Sequence, residues 1–191
     1  MNILCILGSP RKNGNSETLA RTATSDLEQC GHTVEFIRLN PMNISPCQGC
    51  GGCNSTGACV IKDDMGALYD KVDQADQLIL TTPIYFYNLS GQMKCFIDRF
   101  QARWARKYLL KQSVRPGDPR TLHLMATAAT HGKKVFEAAI LTARCLADTL
   151  DMQYGNELLV RGVEGKDALS QQQEYLAAAR QFGAELGKTR H

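Results

Sequence analysis

Apolar and polar positions along this chain switch between two periods, and the switches mark out alternating strands and helices. Residues 2–7 (NILCIL) form an apolar run closed by Gly8, the pattern of a strand covered on both faces. An apolar stripe then runs to about Cys30. Asn15 or Ser16 stands ready as its N-cap, and Gly31 sits where a left-handed residue would end the helix. Residues 33–39 (TVEFIRL) alternate and are β-branched, which predicts a second strand. Residues 77–82 (QLILTT) predict a third, stopped by Pro83. From Gly91 the residues Met93, Phe96, Ile97, Phe100 and Trp104 recur at helical spacing. A fourth strand is predicted at 121–128, a helix through Val135, Ala139, Ala143 and Leu146, and a last strand at 152–160. Tyr175, Ala179, Phe182 and Leu186 stripe a final helix, with Asp167 as its expected cap.

Strands that alternate with helices imply βαβ units and a parallel sheet. The predicted fold is α/β: a three-layer α/β/α, doubly wound sheet of five parallel strands in the order 2-1-3-4-5. The chain has 191 residues, 43% hydrophobic and 21% charged, enough for one domain spanning 1–191 with a sizeable core. Only residues 40–64 lack periodicity, and they read as a cysteine-rich insertion after the second strand. A net charge of +3 is too weak to point to nucleic acid or an anionic membrane. No apolar run nears the roughly 20 residues of a membrane span, and the first residues do not read as a secretory signal. A cytoplasmic protein is expected.

Chemistry concentrates in three segments. The first, Gly8 to Ser16 (GSPRKNGNS), joins a strand to a helix N-terminus, where unpaired N–H groups suit a phosphate. Ser9, Asn13, Asn15 and Ser16 add polar donors and Arg11 a guanidinium fork. A Walker loop is excluded, because Gly14 is followed by Asn15 and Ser16 and the lysine is missing. A dinucleotide fingerprint fails at its second glycine, and Arg38-Leu39-Asn40 offers no acidic residue for a ribose. Two readings remain: a loop for a terminal phosphate monoester, or a solvated turn that binds nothing.

The second segment, Thr82 to Gly91 (TPIYFYNLSG), places three aromatics at the carboxyl end of the third strand. Strands one and three flank the switch point of a 2-1-3-4-5 sheet, so the two loops would hold opposite ends of one ligand. Flat rings there suit an isoalloxazine; the plainer reading is that Tyr85 to Tyr87 pack into the core. The third segment carries Cys47, Cys50, Cys53 and Cys59 within thirteen residues, among Gly49, Gly51, Gly52 and Gly57. Four thiolates from one loop match the ligand count of a four-iron cluster. Zinc, a Cys50–Cys53 dithiol and free thiols are the other readings. Cys5, Cys30, Cys95 and Cys145 are expected as small buried apolar residues.

With GSPRKNGNSETLA at 8–20, TPIYFYNLSGQMKCFIDRF at 82–100 and PCQGCGGCNSTGAC at 46–59, the chain resembles the NADPH-dependent FMN reductase group of flavodoxin-like proteins, and within it the iron–sulfur flavoproteins. The resemblance covers roughly the first hundred residues. It implies that Ser9, Arg11, Asn13, Asn15 and Ser16 hold an FMN phosphate, and that Pro83, Ile84, Tyr85, Phe86 and Asn88 hold the ring. The segment 126–131 is a third, unassigned approach to the flavin. The implied activity is an FMN-dependent oxidoreductase relaying electrons between FMN and a [4Fe-4S] cluster on the four clustered cysteines. NAD(P)H would be the donor, a small molecule or protein the redox partner, and the assembly a homodimer or homotetramer. No catalytic side chain is required, since the flavin supplies the reactive atoms. The rivals are a cluster-free NAD(P)H-dependent FMN or quinone reductase and a passive FMN electron carrier. The basic residues Arg99, Arg103, Arg106, Lys107 and Lys111 read as a solvated helix face, and no histidine spacing supports a hydrolase.

Overall fold

The computed structural model describes residues 1–188. Five parallel strands lie in the order β2-β1-β3-β5-β6: β1 Asn2–Leu7, β2 Thr33–Arg38, β3 Gln77–Tyr85, β5 Thr121–Thr127 and β6 Gln153–Val160. A two-residue strand, β4 (Asn88–Leu89), folds back antiparallel on the end of β3. The predicted order is therefore the observed one, with a hairpin added.

Side chains alternate between two faces of the sheet, and each face has its own core. Leu4 and Ile6 of β1, Leu78 and Leu80 of β3, and Leu122 and Leu124 of β5 meet α2 (Met65–Gln74), α3 (Gly91–Asp98) and α5 (Glu137–Thr149). Ile3, Cys5 and Leu7, with Ile79 and Met125, meet α1 (Asn15–Thr24) and α6 (Gln173–Lys188). Central strands covered on both sides are apolar at most positions, which is why β1 reads as an unbroken run. The edge strand β2 is half-wet and alternates. Helices α1 and α6 cross so closely that a Cβ on Gly183 would lie 1.7 Å from the Ala23 carbonyl oxygen. Glycine is obligatory there. No helix among the described residues is long and apolar enough to cross a membrane.

Several boundaries depart from the periodicity, each for a local reason. Helix α1 stops at Thr24 rather than Cys30. Thr24 Oγ1 donates to Ala20 O at 3.0 Å and Ser25 Oγ to Thr22 O at 3.1 Å, and hydroxyls of this kind compete with the helical ladder. Pro83 does not stop β3, which continues to Tyr85. Strand β1 accompanies β3 only to Thr81, so beyond it one edge needs no N–H donor. The helix from Gly91 breaks into α3, α4 (Gln101–Trp104) and a π-helical turn at Ala105–Leu109. Helix α6 starts at Gln173, behind a 3₁₀ turn, and Asp167 does not cap it; the Asp167 carbonyl accepts from Ser170 instead.

Two expectations about side chains are corrected. Of the dispersed cysteines only Cys5 is buried, which pushes its thiol up to about 12; Cys95 is half-buried, and Cys30 and Cys145 are exposed. The basic stretch is a solvated face only in part: Lys111 is exposed and Arg106 and Lys107 are half-buried. Arg99 and Arg103 are buried, paired at 2.6 Å with Asp63 and at 2.6 Å with Asp73. Charges at i and i+4 look solvated in sequence, and only acidic partners on other segments bring them inside.

His123 gives the fold a pH dependence. Its Nδ1 accepts from the Asn156 N–H at 2.9 Å, so that nitrogen is unprotonated and Nε2 faces Thr121 Oγ1 at 3.0 Å. Burial lowers its pKa to about 4. The unfolded chain takes up this proton near pH 6.5 and the folded chain does not. Stability is thus complete above pH 6.5 and falls towards pH 4, by about 1.4 kcal/mol per pH unit from this group. Urea denaturation at pH 7, 6 and 5 should show this slope; His123→Gln should be less stable at pH 7 but lose that part of the slope.

Candidate functional site

The loops at the carboxyl ends of β1, β3, β5 and β6 surround a cleft of about 220 Å³. The first loop leaves β1 at Gly8, whose N–H still bonds the Thr81 carbonyl at 2.8 Å. A Cβ here would stand 2.9 Å from Met93 Cβ, so glycine lets the loop lie against α3. Ser90 joins the first loop to the second: its Oγ donates to Gly8 O at 2.5 Å while its N–H bonds Thr82 Oγ1 at 3.1 Å.

Ser9 Oγ accepts from the Arg11 N–H at 3.1 Å, which closes a tight turn. Asn13 follows in a left-handed conformation (φ 55°), its N–H given to Glu17 Oε2 at 2.7 Å. Glu17 is buried between Arg38 at 2.5 Å and Arg21 at 3.0 Å. Burial would raise its pKa, but hydrogen bonds from Arg38, Asn13 and Arg21 outweigh that and hold the carboxyl below its usual range. The turn thereby delivers the chain to α1 with Gly14 at the N-cap and no side chain capping it. Its first N–H groups are left for an anion.

Of the expected phosphate residues, Ser9, Arg11, Asn15 and Ser16 line the cleft. Asn13 acts through its backbone beneath the loop. Asn15 is divided: its Nδ2 donates to Gly165 O at 2.7 Å and Val163 O at 3.3 Å, and its Oδ1 accepts from Leu169 N at 3.1 Å. Its side chain pins the loop after β6. Of the expected ring residues, Pro83, Ile84 and Tyr85 line the cleft. Phe86 and Tyr87 form the tip of the β3–β4 hairpin with φ of 49° and 62°, a geometry that usually takes Asn-Gly. Phe86 is fully exposed, and Asn88 accepts from the next backbone N–H at 2.8 Å. Two bulky residues in left-handed conformation cost on the order of 1–3 kcal/mol each, so the rest of the loop must hold them there.

The remaining wall comes from Thr127 and Ala129, within the unassigned segment 126–131, and from Val163, Glu164 and Lys166. The last three were not expected. Their signal was position: they follow a strand at the carboxyl edge of the sheet, where a doubly wound fold places its ligand crevice.

Cys47, Cys50, Cys53 and Cys59 line a second cleft of about 230 Å³, together with Arg99 and Ala102. All four are free thiols. Gly49, Gly51 and Gly57 adopt φ of 63°, 71° and 68°, which lets the loop turn around this cleft. Burial pushes the Cys53 thiol up, and the neighbouring sulfurs of Cys59, Cys47 and Cys50 push the same way. Among the described residues no three His, Cys, Asp or Glu side chains gather around one point as a single metal ion requires. Zinc would need thiolates about 2.3 Å from a common centre, whereas a cubane spreads its four cysteines over four irons.

The fold and the site define a class: a doubly wound α/β/α protein whose polar first loop and aromatic third-strand loop meet at the switch point. The profile of the NADPH-dependent FMN reductase family matches residues 1–152, and the chain belongs to that family. An iron-sulfur flavoprotein of Archaeoglobus fulgidus is 43% identical over 99 residues, which cover 52% of this chain and 45% of that one. An iron-sulfur flavoprotein of Methanosarcina thermophila is 33% identical over 114 residues, 60% of each chain. The chain spans about half the length of the curated relatives it matches. An NAD(P)H:quinone oxidoreductase from Methanothermobacter marburgensis aligns over 100% of this chain and 99% of its own, with TM-score 0.72 and 16% identity, a likeness of fold.

The role of Asn15 is testable by hydrogen exchange. Asn15→Ala removes three hydrogen bonds between α1 and residues 163–169 and should lower stability by about 1–3 kcal/mol. Exchange at the Leu169 amide should accelerate while amides in β1 and β3 keep their ranking.

Proposed function

We propose that this chain is an FMN-dependent oxidoreductase that also carries a [4Fe-4S] cluster on Cys47, Cys50, Cys53 and Cys59. The observation that supports the flavin most is that Ser9, Arg11 and Ser16 share one cleft with Pro83, Ile84 and Tyr85. The open N-terminus of α1 and the Arg11 guanidinium suit one phosphate, and Lys166 brings a second cation to the same cleft. Pro83 to Tyr85 supply a flat apolar wall that would shield one side of a ring from water. Four cysteines that line one cleft match the ligand count of a four-iron cluster, and iron-sulfur flavoproteins are among the relatives. When bound, FMN supplies hydride chemistry and the cluster supplies one-electron transfer.

NAD(P)H as donor, a small-molecule or protein acceptor, and assembly as a homodimer or homotetramer belong to the same reading. Trp104, Leu109 and Leu141 are exposed apolar residues that self-association would cover. A cluster-free reductase and a passive carrier are separated from it by iron content and by steady-state NADPH oxidation.

Two results are expected. Cofactor released from anaerobically purified protein should chromatograph as FMN, and Arg11→Ala should weaken its binding by about 1–3 kcal/mol, the scale of a charged hydrogen bond. Recovery of FAD would count against the phosphate-monoester loop. Serine at any of the four clustered cysteines should cut iron and sulfide content and bleach the broad visible absorbance while FMN stays bound. Serine at exposed Cys30 or Cys145 should change neither.

A further inference from the structure

Arg99 lies just past α3 with its side chain wholly buried. Its Nη1 donates to Ser45 O at 2.9 Å and Asp63 Oδ2 at 2.6 Å. Its Nη2 donates to Asp63 Oδ1 at 3.1 Å and Ile61 O at 3.5 Å. Ser45 stands two residues before Cys47, and Ile61 two residues after Cys59. One guanidinium therefore gathers both ends of the cysteine loop. Its own carbonyl accepts from the Tyr69 hydroxyl at 2.7 Å, which ties the arrangement to α2.

Arg99 also lines the cleft of the four thiols, whereas Asp63 does not. Arg99 is thus the member of the pair that shares a cleft with all four cysteines, while Asp63 lines the neighbouring cleft with Cys59. The Arg99 Nε is buried and has no hydrogen-bond partner, so one donor of a fully enclosed cation is unmatched. Burial alone would weaken its hold on the proton; Asp63 and then Cys59 outweigh this and keep it charged. Ala102, by contrast, gives the same cleft only a methyl group.

We infer that Arg99 is a positioning residue for the iron–sulfur site, closing the cysteine loop and, by its fixed charge beside Cys59, favouring the one-electron-reduced cluster. The inference rests on the cluster reading above. Reduction adds one electron, drawn in the test from dithionite, and moves no proton, because the guanidinium stays cationic throughout. The electron would reduce iron in the cluster, and a cluster with its four thiolate ligands that becomes one unit more negative would be drawn more strongly to that charge in a low-dielectric site.

The test uses the full chain, reconstituted anaerobically, with iron and sulfide counted and the reduced fraction read by electron paramagnetic resonance in a redox titration. Arg99→Gln is combined with Asp63→Asn so that no carboxylate is orphaned. At the potential where half the wild-type cluster is reduced, the double variant should show a reduced-to-oxidised ratio about tenfold lower, a shift of about 59 mV for one electron. Asp63→Asn alone keeps the cation, removes its neutralising partner, and should raise the ratio. Arg99→Lys should stay within about twofold of wild type, since it keeps the charge. An unchanged ratio in an iron-replete double variant overturns the inference. If the double variant holds no iron, Asp63→Asn decides, and the absence of an upward shift overturns it. Wild-type protein that folds and binds FMN yet takes up no iron overturns the cluster reading and this inference with it.

Discussion

A parallel sheet covered on both faces must fill its middle with apolar side chains or give each buried polar group a partner, and the rest of this molecule follows from that constraint. Strand β1 is apolar from Ile3 to Leu7, and β3 and β5 are mostly apolar, because α1 and α6 lie on one side and α2, α3 and α5 on the other. Polar chemistry is displaced to the strand ends. All five strands run the same way, so their carboxyl ends deliver the first loop, the aromatic hairpin, residues 127–129 and residues 163–166 to one edge. A cleft lined by four distant segments results without any one of them encoding it.

What holds those loops is a second, smaller set of interactions: buried charges. Glu17 with Arg38, Asp63 with Arg99 and Asp73 with Arg103 each join a functional loop or its support to a distant element. Removing one partner of such a pair costs about 3–5 kcal/mol, because the other is left buried and unpaired. An exposed pair such as Lys71–Glu35 contributes about 0–1 kcal/mol. The buried pairs therefore decide loop shape. Glu17 fixes Asn13 in its left-handed conformation beneath the first loop. Asp63 and Arg99 fix the ends of the cysteine loop, which has no strand or helix of its own.

The two clefts differ in how they are made. The first lies in the crevice the doubly wound order provides, needing only short loops and an uncapped helix. The second is an insertion that must supply its own turns through left-handed glycines and borrow rigidity from α2 and α3. A polar cleft beside the switch point and a cleft lined by four thiols are thus both held against the same helix α3. Strain is concentrated at the hairpin tip, where Phe86 and Tyr87 take left-handed backbone.

Sequence periodicity determined the positions of the five main strands and the alternation of strand with helix, because burial on two faces leaves an apolar run; the strand order came from the resemblance to flavodoxin-like proteins and is the order observed. Spacing likewise grouped Cys47, Cys50, Cys53 and Cys59, which do line one cleft. Local pattern misjudged what depends on distant partners. Arg99 and Arg103 read as solvated until Asp63 and Asp73, some thirty residues earlier, were seen to enclose them. Asn15 lines the first cleft as expected, but its side-chain bonds to residues 163–169, a contact between opposite ends of the chain, could not be read from local pattern. Pro83 read as a stop, although a strand loses nothing to proline once its neighbour on that edge has ended. Periodicity reports which side of an element faces the core; only the tertiary structure decides which charged, polar or strained residue meets its partner there.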